Sequence, residues 1–457
     1  MTEQLKLVLR TDGGSDTDSI DLLPYVAFSG WRQKVTAHEM PVDEALTLNV
    51  QGASDDSLST FFQNLDRFIR SANRYQASQL ELYGMWLRAQ LAGETNARQT
   101  YVIDARHESF NPTGYFRDGH VVDNDSLGLK RIGQWEDTSL STYSSVGLSA
   151  LGGMAQLSAS VGGDIDGRIY KTRFLDSGAA SGVMNAVWFG LRSNRYGNPA
   201  NFVPKWEVES GTNLNGAVDS TDKDATASPI GAGTNKSVKF PISSTLTLYW
   251  SRTLGSVSVA NYTDQRGRFL VLARVCASDG STTARLQMRS GVGSQAVWRT
   301  YPRVYVSGTN WYLYDLGQVN FPEAARTIFD TDAMGAQTLQ LWAERLAGSG
   351  TLYVDCLVLI PVGEAFVYER NGTIDGSVTV ETDIYQGPDG RNTALTFSPT
   401  TGNQTSNIDL SLVGGMPTGN VYGIIAAEYS VNGQDLTDEI DVELSVYKRY
   451  ATLRGSA

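Results

Sequence analysis

The chain is poor in the residues that build cross-linked and metal-dependent proteins. It has two cysteines and three histidines among 457 residues. Two cysteines are too few for a disulfide scaffold, and three histidines leave little for a zinc site or a histidine-based catalytic triad. Cys276 and Cys356 are expected to be buried, reduced thiols, although adjacent strands could bring them near each other.

Long apolar runs and an excess of positive charge are also missing. No run of about 18 apolar residues occurs, so no bilayer-spanning helix is predicted. The opening stretch MTEQLKLVLRTDGG lacks the apolar core of a secretory signal. The 37 basic residues are outnumbered by 49 acidic ones, which gives a net charge of −12. This balance argues against nucleic acid and against an anionic membrane surface as partners. Membrane insertion is not expected, because no long apolar run is present.

Glycine and aromatic residues, by contrast, are abundant. The chain holds 46 glycines, 21 tyrosines and 9 tryptophans. Short alternating runs, punctuated by Gly, Ser and Asp, predict a mainly β protein of two or three β-sandwich domains. A single amphipathic helix is predicted near residues 55–77, because apolar residues recur there at spacings of three and four. Its stripe comprises Leu58, Phe61, Phe62, Leu65, Phe68, Ile69 and Ala72.

The strand-like runs divide the chain into four regions. Residues 1–110 are predicted to form a β domain with the helix, and residues 111–205 a β-rich connecting region or second sandwich. Residues 206–370, with seven regularly spaced runs, are predicted to form an inserted jelly-roll module. Residues 371–457 carry 11 acidic against 4 basic residues. They are again strand-like, and either complete an earlier sandwich or form a separate one.

One strand and one helix indicate how copies of the chain would assemble. The run IDVELSVYKRY places Asp441 and Glu443 on its outward face. Arg67, Arg70 and Arg74 lie on the outer face of the helix. These arginines are the basic complement of the acidic strand in a homo-oligomer, since a repeated heterologous contact closes a ring. The alternative is that both faces carry charge that keeps the protein soluble.

The middle module concentrates aromatic residues. Aromatic rings stack on the apolar faces of sugars, so a carbohydrate-binding surface is predicted within residues 206–370. Core packing is the competing interpretation of the same residues. The candidates are Trp298, Tyr301, Trp311, Tyr312, Tyr314 and Trp342.

No catalytic, cofactor or metal site is predicted. The motifs of serine hydrolases, P-loop proteins and zinc proteases do not occur in the sequence. The loop VDSTDKD offers oxygen ligands for calcium from Asp219, Asp222 and Asp224, but the spacing differs from that of an EF-hand, so a solvated loop is favoured. Paired carboxylates for glycoside hydrolysis come from distant strands and cannot be identified from spacing. The candidates are Asp264, Asp315, Glu323, Asp332, Glu344 and Asp355.

Three stretches resemble tail proteins of phages. LWAERLAGSGTLYVDCLVLIPVGEAFVY (341–368) is similar to strand patterns of modular phage tail proteins. DEIDVELSVYKRYATLRG (438–455) resembles their usual carboxyl-terminal ending, and LYGMWLRAQLAGETNARQTYVIDARHESF (82–110) their early segment. In layout the chain is similar to siphophage distal tail or minor tail proteins that carry an inserted lectin-like sandwich, of the kind found in carbohydrate-binding modules.

The resemblance implies a structural virion protein without enzymatic activity. Such a protein assembles with itself into a ring or trimer, links the tail tube to the tail tip and faces its inserted module outward. Its partners would be tail tube and tail tip proteins, with a host-surface glycan as a further partner. It would be made in the host cytoplasm and reside in the virion. The alternative is a carbohydrate-active enzyme, a glycoside hydrolase or lyase with an accessory sugar-binding sandwich.

Overall fold

A computed structural model shows a protein built almost entirely of antiparallel strands. One α-helix, α1 (Asp55–Tyr75), and 29 strands are present in the described residues. The predicted fold class, mainly β with several sandwiches and a single helix, is confirmed. The described residues are 3–11, 14–25, 41–51, 55–75, 83–107, 121–176, 184–221, 236–254, 266–292, 298–321, 337–370, 381–386, 392–398, 402–404, 409–429 and 439–453.

The strands contain from 2 to 12 residues. They are β1 (Gln4–Thr11), β2 (Asp16–Asp21), β3 (Pro41–Gln51), β4 (Tyr83–Gln90), β5 (Arg98–His107), β6 (Val121–Ile132), β7 (Trp135–Asp137), β8 (Ser141–Ser149), β9 (Leu151–Val161), β10 (Ile165–Asp176), β11 (Met184–Ser193), β12 (Lys205–Glu207), β13 (Thr212–Asn213), β14 (Val218–Ser220), β15 (Ser237–Phe240), β16 (Thr247–Leu254), β17 (Gly267–Ala277), β18 (Thr283–Val292), β19 (Trp298–Ser307), β20 (Tyr312–Phe321), β21 (Gln337–Ala347), β22 (Leu352–Pro361), β23 (Phe366–Arg370), β24 (Glu381–Gln386), β25 (Asn392–Ser398), β26 (Gly402–Gln404), β27 (Asp409–Val413), β28 (Gly419–Tyr429) and β29 (Glu439–Tyr450).

Four sheets contain these strands. Sheet I has 13 strands, in the order β2-β1-β4-β5-β7-β29-β10-β24-β25-β26, with β6 pairing β3 and β5, and with β8 pairing β29. Sheet II has the order β27-β23-β11-β28-β9. Sheet III has the order β14-β15-β22-β17-β20, with β12 also on β22, and sheet IV has the order β13-β16-β21-β18-β19.

The helix lies against β4 and β5 of sheet I. Leu58, Leu65 and Phe68 of its stripe are buried in the core beneath sheet I, as the spacing of apolar residues requires. Phe61 and Phe62 are only half-buried, and the ring of Phe62 stacks on His107 with 5.2 Å between ring centroids. The predicted amphipathic helix is thus a packing element with one charged face.

Strands from the end of the chain complete sheets that begin earlier. β29 lies between β8 and β10 in sheet I, and β28 lies between β9 and β11 in sheet II. Sheet II packs on this part of sheet I, with Phe174, Phe189, Ile425 and Leu444 in the shared core. The sequence leaves open whether residues 371–457 form a separate sandwich; in the structure, β28 and β29 pair with strands from before the middle module.

Sheets III and IV form a sandwich that runs from β12 to β22. Trp206, Trp250 and Leu286 are buried in its core, and this core continues onto sheet II through Trp188 and Ala426. β23 falls within the predicted range 206–370, yet it pairs with β11 and β27 in sheet II. Deleting residues 206–370 would therefore remove a strand of sheet II and expose Trp188.

β22 approaches sheet II so closely that the contact needs a glycine. A Cβ atom at Gly190 of β11 would collide with the backbone carbonyl oxygen of Pro361, at the end of β22.

Both cysteines lie in sheet III, and each is buried and free, which confirms the prediction of reduced thiols. Among the described residues, no helix is long and apolar enough to cross a membrane.

Candidate functional site

The two sheets of the middle sandwich differ in how much surface they leave open. Every residue of β22, in the centre of sheet III, is buried, because this sheet is covered on both faces. β21 of sheet IV alternates instead: Leu339, Leu341 and Ala343 are buried, whereas Gln340 and Trp342 are half-buried. Sheet IV therefore has one face on the core and one outward face, and the outward face is the candidate site.

The strand register sets out the outward side chains as a grid. On β18, Arg285, Gln287 and Arg289 lie opposite Glu344, Trp342 and Gln340 of β21. On its other side, β18 pairs with β19, which contributes three more side chains. We call this set the platform: Arg285, Gln287, Arg289, Trp298, Arg303, Tyr305, Gln340, Trp342 and Glu344.

Three aromatic rings occupy the platform. A Cβ atom at Gly291 would lie 2.8 Å from the ring of Trp298, so the glycine leaves room for this ring to rest on the sheet. The Trp342 indole N–H donates to Gln340 Oε1 at 3.0 Å, and the Arg289 guanidinium carbon lies 3.9 Å from the centroid of the Trp342 ring. Tyr305 is 61% exposed. Polar neighbours on both sides thus hold the Trp342 ring in place on the sheet.

Charge on the platform is concentrated around one carboxylate. Glu344 Oε1 accepts hydrogen bonds from Arg285 Nη1 and Arg303 Nη1, each at 3.0 Å. The hydrogen bonds to Glu344 and then to Tyr305 raise the pKa of Arg285, so this guanidinium stays charged. Gln287, beneath these long side chains, donates from Nε2 to the Tyr301 carbonyl oxygen at 2.9 Å. The platform thus offers guanidinium donors, amide groups and ring faces side by side.

The structure separates the aromatic residues that the sequence grouped as sugar-binding candidates. Trp298 and Trp342 lie together on the platform. Tyr301 is 5% exposed and its hydroxyl contacts Ser290 Oγ at 3.0 Å, so it belongs to the core. Trp311, 3% exposed, packs beside Cys276 and Tyr353. Neither Tyr301 nor Trp311 therefore presents a ring face to solvent.

Two further candidates lie on the opposite sheet. Tyr312 and Tyr314 belong to β20 of sheet III, where both are half-buried. Burial raises the pKa of Tyr314 to about 12. Because β20 is in the other layer of the sandwich, these two tyrosines do not share a surface with Trp298 and Trp342.

Sequence reasoning missed the arginines and the exposed tyrosine of the platform. A register shift between Gln287 and Arg289 marks a bulge in β19, after which Arg303 and Tyr305 face outward instead of Val304 and Val306. The sequence does hold a signal for this bulge, since proline within a strand is confined to edges and bulges, and Pro302 lies at that point.

The acidic candidates that the structure describes lie in three different settings. Asp355 is buried in an ion pair with Arg274, with 2.6 Å between Oδ2 and Nη1. Glu344 is held by two arginines, and Asp315 lies on sheet III, where burial raises its pKa. Three further candidates lie outside the described residues: Asp264, Glu323 and Asp332.

The weak calcium candidates are likewise only partly described. Asp219 Oδ1 accepts a hydrogen bond from Asn213 Nδ2 at 2.7 Å, whereas Asp222 and Asp224 lie outside the described residues. Within the described ranges, no group of three or more His, Cys, Asp and Glu side chains is arranged to hold a metal ion.

The predicted assembly residues lie in two different settings. Arg67 and Arg70 are exposed on α1, and Arg70 pairs with Asp66 at 3.2 Å; the side chain of Arg74 is outside the described set. Asp441 and Glu443 are half-buried on β29, a strand flanked on both edges by β8 and β10. Asp441 Oδ1 accepts the backbone N–H of Gly147 at 2.8 Å. The acidic pair is thus embedded in its own sheet, while the helix arginines are accessible.

Comparison with known proteins yields weak structural similarities. No protein-family model matches the sequence, and a search of curated proteins finds no match. The tandem CBM22 domain from Paenibacillus barcinonensis Xyn10C aligns with 53% of this chain and 96% of its own, at 8% identity and a TM-score of 0.22. A structure of carbohydrate-binding modules from the β-sandwich superfamily aligns with 60% of this chain and 91% of its own, at 9% identity and a TM-score of 0.19.

A phage structure gives a similarity of the same strength. The phage P2 baseplate, in its activated conformation with Ca, aligns with 78% of this chain and 98% of its own, at 9% identity and a TM-score of 0.19. With TM-scores this low, none of these similarities carries a conclusion about function.

Proposed function

We propose that this chain is a structural protein of a phage tail that presents a carbohydrate-binding sandwich. The observation that carries the binding function is the platform of sheet IV, where Trp298, Trp342 and Tyr305 lie among polar side chains on paired strands. The tail role is supported by the three stretches that resemble distal and minor tail proteins. Sugar binding at the platform and self-assembly can both be tested on the isolated protein.

The chemistry of the platform suits an oligosaccharide. Sugar rings have apolar C–H faces, which stack on aromatic rings, and hydroxyl groups, which exchange hydrogen bonds with guanidinium, amide and carboxylate groups. Trp342 and Trp298 would supply the stacking surfaces. Gln340 and Glu344 flank Trp342 on the same strand and would bind hydroxyl groups. An extended sugar chain would run across neighbouring strands, because the outward side chains are aligned in rows by the register.

Replacing Trp342 with alanine is expected to weaken sugar binding by about tenfold or more, the effect of losing a central aromatic contact. Trp298→Ala should have the same direction of effect. Binding of the full-length protein to an array of bacterial and host-surface glycans, followed by calorimetry with the best oligosaccharide, measures this. The matched control is Tyr312→Ala, which removes a half-buried ring from sheet III and should leave the affinity unchanged.

Two results would contradict the binding proposal. In the first, Tyr312→Ala lowers the affinity for the sugar and Trp342→Ala does not, which would place the site on sheet III. The other is an array on which the wild-type protein binds no glycan. Release of reducing sugar from a bound polysaccharide would instead favour the alternative of a carbohydrate-active enzyme.

Self-assembly is the second part of the proposal, and α1 is the surface to test. Charge reversal at Arg67→Glu with Arg70→Glu is expected to raise the dissociation constant of a ring or trimer by about tenfold or more, because the new carboxylates would face a neighbouring copy whose net charge is −12. Light scattering on a concentration series measures this, with the exposed Arg268→Glu of sheet III as control. A monomeric wild-type protein would contradict self-assembly, and an unaffected oligomer would place the contact elsewhere.

A further inference from the structure

The sheet that carries the platform is positively charged within a strongly acidic chain. Six arginines and one glutamate lie in its strands β16, β18, β19 and β21, a net charge of +5, whereas the chain as a whole carries −12. Sheet III contains four basic and four acidic residues and is neutral. The positive charge is therefore confined to one layer of the sandwich.

On the platform itself, the positive charge is only partly compensated. Arg285 and Arg303 share the single carboxylate of Glu344, so the three groups together carry one positive charge. The guanidinium carbon of Arg289 lies 3.9 Å from the centroid of the Trp342 ring, and among the described residues this arginine has no acidic partner. The centre of the platform thus has a net charge of about +2 beside its aromatic rings.

We propose that the ligand of the platform is an anionic saccharide, whose carboxylate, sulfate or phosphate groups pair with Arg289 and Arg303 while its rings stack on Trp342 and Trp298. This inference rests on the proposed carbohydrate-binding function and specifies its substrate class. Guanidinium groups bind carboxylate and oxyanion groups with two parallel hydrogen bonds, which gives geometric selectivity as well as attraction. A neutral sugar would leave the uncompensated charge of the platform without a partner.

The local charge also affects how the ligand arrives. The positive platform attracts an anionic polymer. The remainder of the chain, which gives the protein its net charge of −12, repels it. Nucleic acid is the other anionic polymer with stackable rings. It is disfavoured because the chain as a whole carries a net charge of −12, and a long polyphosphate would meet more of that acidic surface than an oligosaccharide does.

Pairs of ligands that differ only in charge test the inference with the full-length protein. Oligogalacturonate is compared with its fully methyl-esterified form, and dextran sulfate with dextran; oligo-dT is a third anionic polymer. The charged member of a pair is expected to bind at least about tenfold more tightly at low ionic strength, and the difference should shrink as salt screens the charges. Calorimetry or biolayer interferometry measures all of these affinities.

Substitution of single arginines tests which side chains produce the preference for charged ligands. Arg289→Gln and Arg303→Gln are each expected to lower the affinity for the charged ligand by about 10- to 100-fold, the effect of losing a charge-assisted hydrogen bond, and to lower the affinity for the neutral ligand by several-fold less. Arg268→Gln is the matched control, because it removes an exposed arginine from sheet III. Thermal unfolding of each variant verifies that the fold is intact.

The outcomes separate this inference from the function on which it rests. If both members of each pair bind equally and Trp342→Ala weakens both, the carbohydrate platform stands and the anionic preference is overturned. If the charge preference survives in Arg289→Gln and Arg303→Gln, the anion binds elsewhere and the inference is also overturned. If the arginine variants lose binding but Trp342→Ala does not, or if oligo-dT binds as tightly as the sugars, the platform is not a saccharide site.

Discussion

Replacing Glu136 with alanine is expected to lower the free energy of unfolding by about 3–5 kcal/mol, because it removes the carboxylate that pairs with two buried arginines. Glu136 lies on β7, which pairs with β5 on one side and β29 on the other, and it is 3% exposed. Arg168 binds both of its carboxylate oxygens, at 2.7 and 2.8 Å, and Arg449 binds Oε1 at 3.0 Å. The cluster therefore joins β7, β10 and β29 in the middle of sheet I.

The pH dependence of this contribution follows from the pKa of Glu136. Burial alone would raise this pKa, but the charges and hydrogen bonds of Arg168 and Arg449 outweigh burial and hold it below the ordinary value of 4.5. The carboxylate thus contributes its full stabilisation above about pH 4.5, and this stabilisation is lost as the pH falls through the lower pKa of the folded state. The difference in stability between wild type and Glu136→Gln should shrink over that acidic range.

Urea unfolding at neutral and acidic pH measures both effects. The matched control is Asp166→Ala, which breaks the exposed ion pair with Arg195 at 2.5 Å and should cost less than about 1 kcal/mol. A loss for Glu136→Ala as small as that of the control would show that the buried cluster does not stabilise sheet I.

Replacing Trp250 with alanine is expected to cost the middle sandwich about 3–5 kcal/mol, as a cavity in its core. Trp250 is fully buried on β16, and its indole N–H donates to the Val208 carbonyl oxygen at 2.6 Å. Gly211 passes so close to the ring that a side chain there would collide with it. Trp250→Phe keeps most of the buried apolar surface but leaves the Val208 carbonyl without this donor, so it should cost about 1–3 kcal/mol.

The effect of Trp250→Ala in the core is expected to differ from that of Trp342→Ala on the platform. Trp342→Ala should weaken sugar binding by about tenfold or more with little change in the unfolding transition, whereas Trp250→Ala should lower stability and lose binding only because the sandwich unfolds. Differential scanning calorimetry together with binding measurements distinguishes the two. If Trp250→Ala and Trp342→Ala lower stability equally, the distinction between core and platform residues is wrong.

Local patterns in the sequence determined the elements of this protein. The spacing of Leu58, Leu65 and Phe68 predicted α1, since a helix buries residues three and four apart whatever it packs against. The run from Leu352 to Ile360, apolar on both faces apart from Asp355, is typical of a central strand, because a strand covered on both faces needs apolar residues on both. The sequence alone also shows the excess of acidic residues, the small number of histidines and the shortness of the apolar runs.

Only the tertiary structure decided which side chains share a surface. The pairing of β29 with β8 and β10 joins residues about 300 positions apart, and nothing local in the sequence specifies such a partner. The platform depends on the same kind of pairing: the bulge in β19 turns Arg303 and Tyr305 outward, and the register of β18 with β21 places Arg289 on Trp342. Side chains alternate with a period of two, so one extra residue in a strand exchanges its faces. For this reason the sequence identified the aromatic residues of the middle module, while the fold determined that Trp298 and Trp342 face solvent and Tyr301 and Trp311 do not.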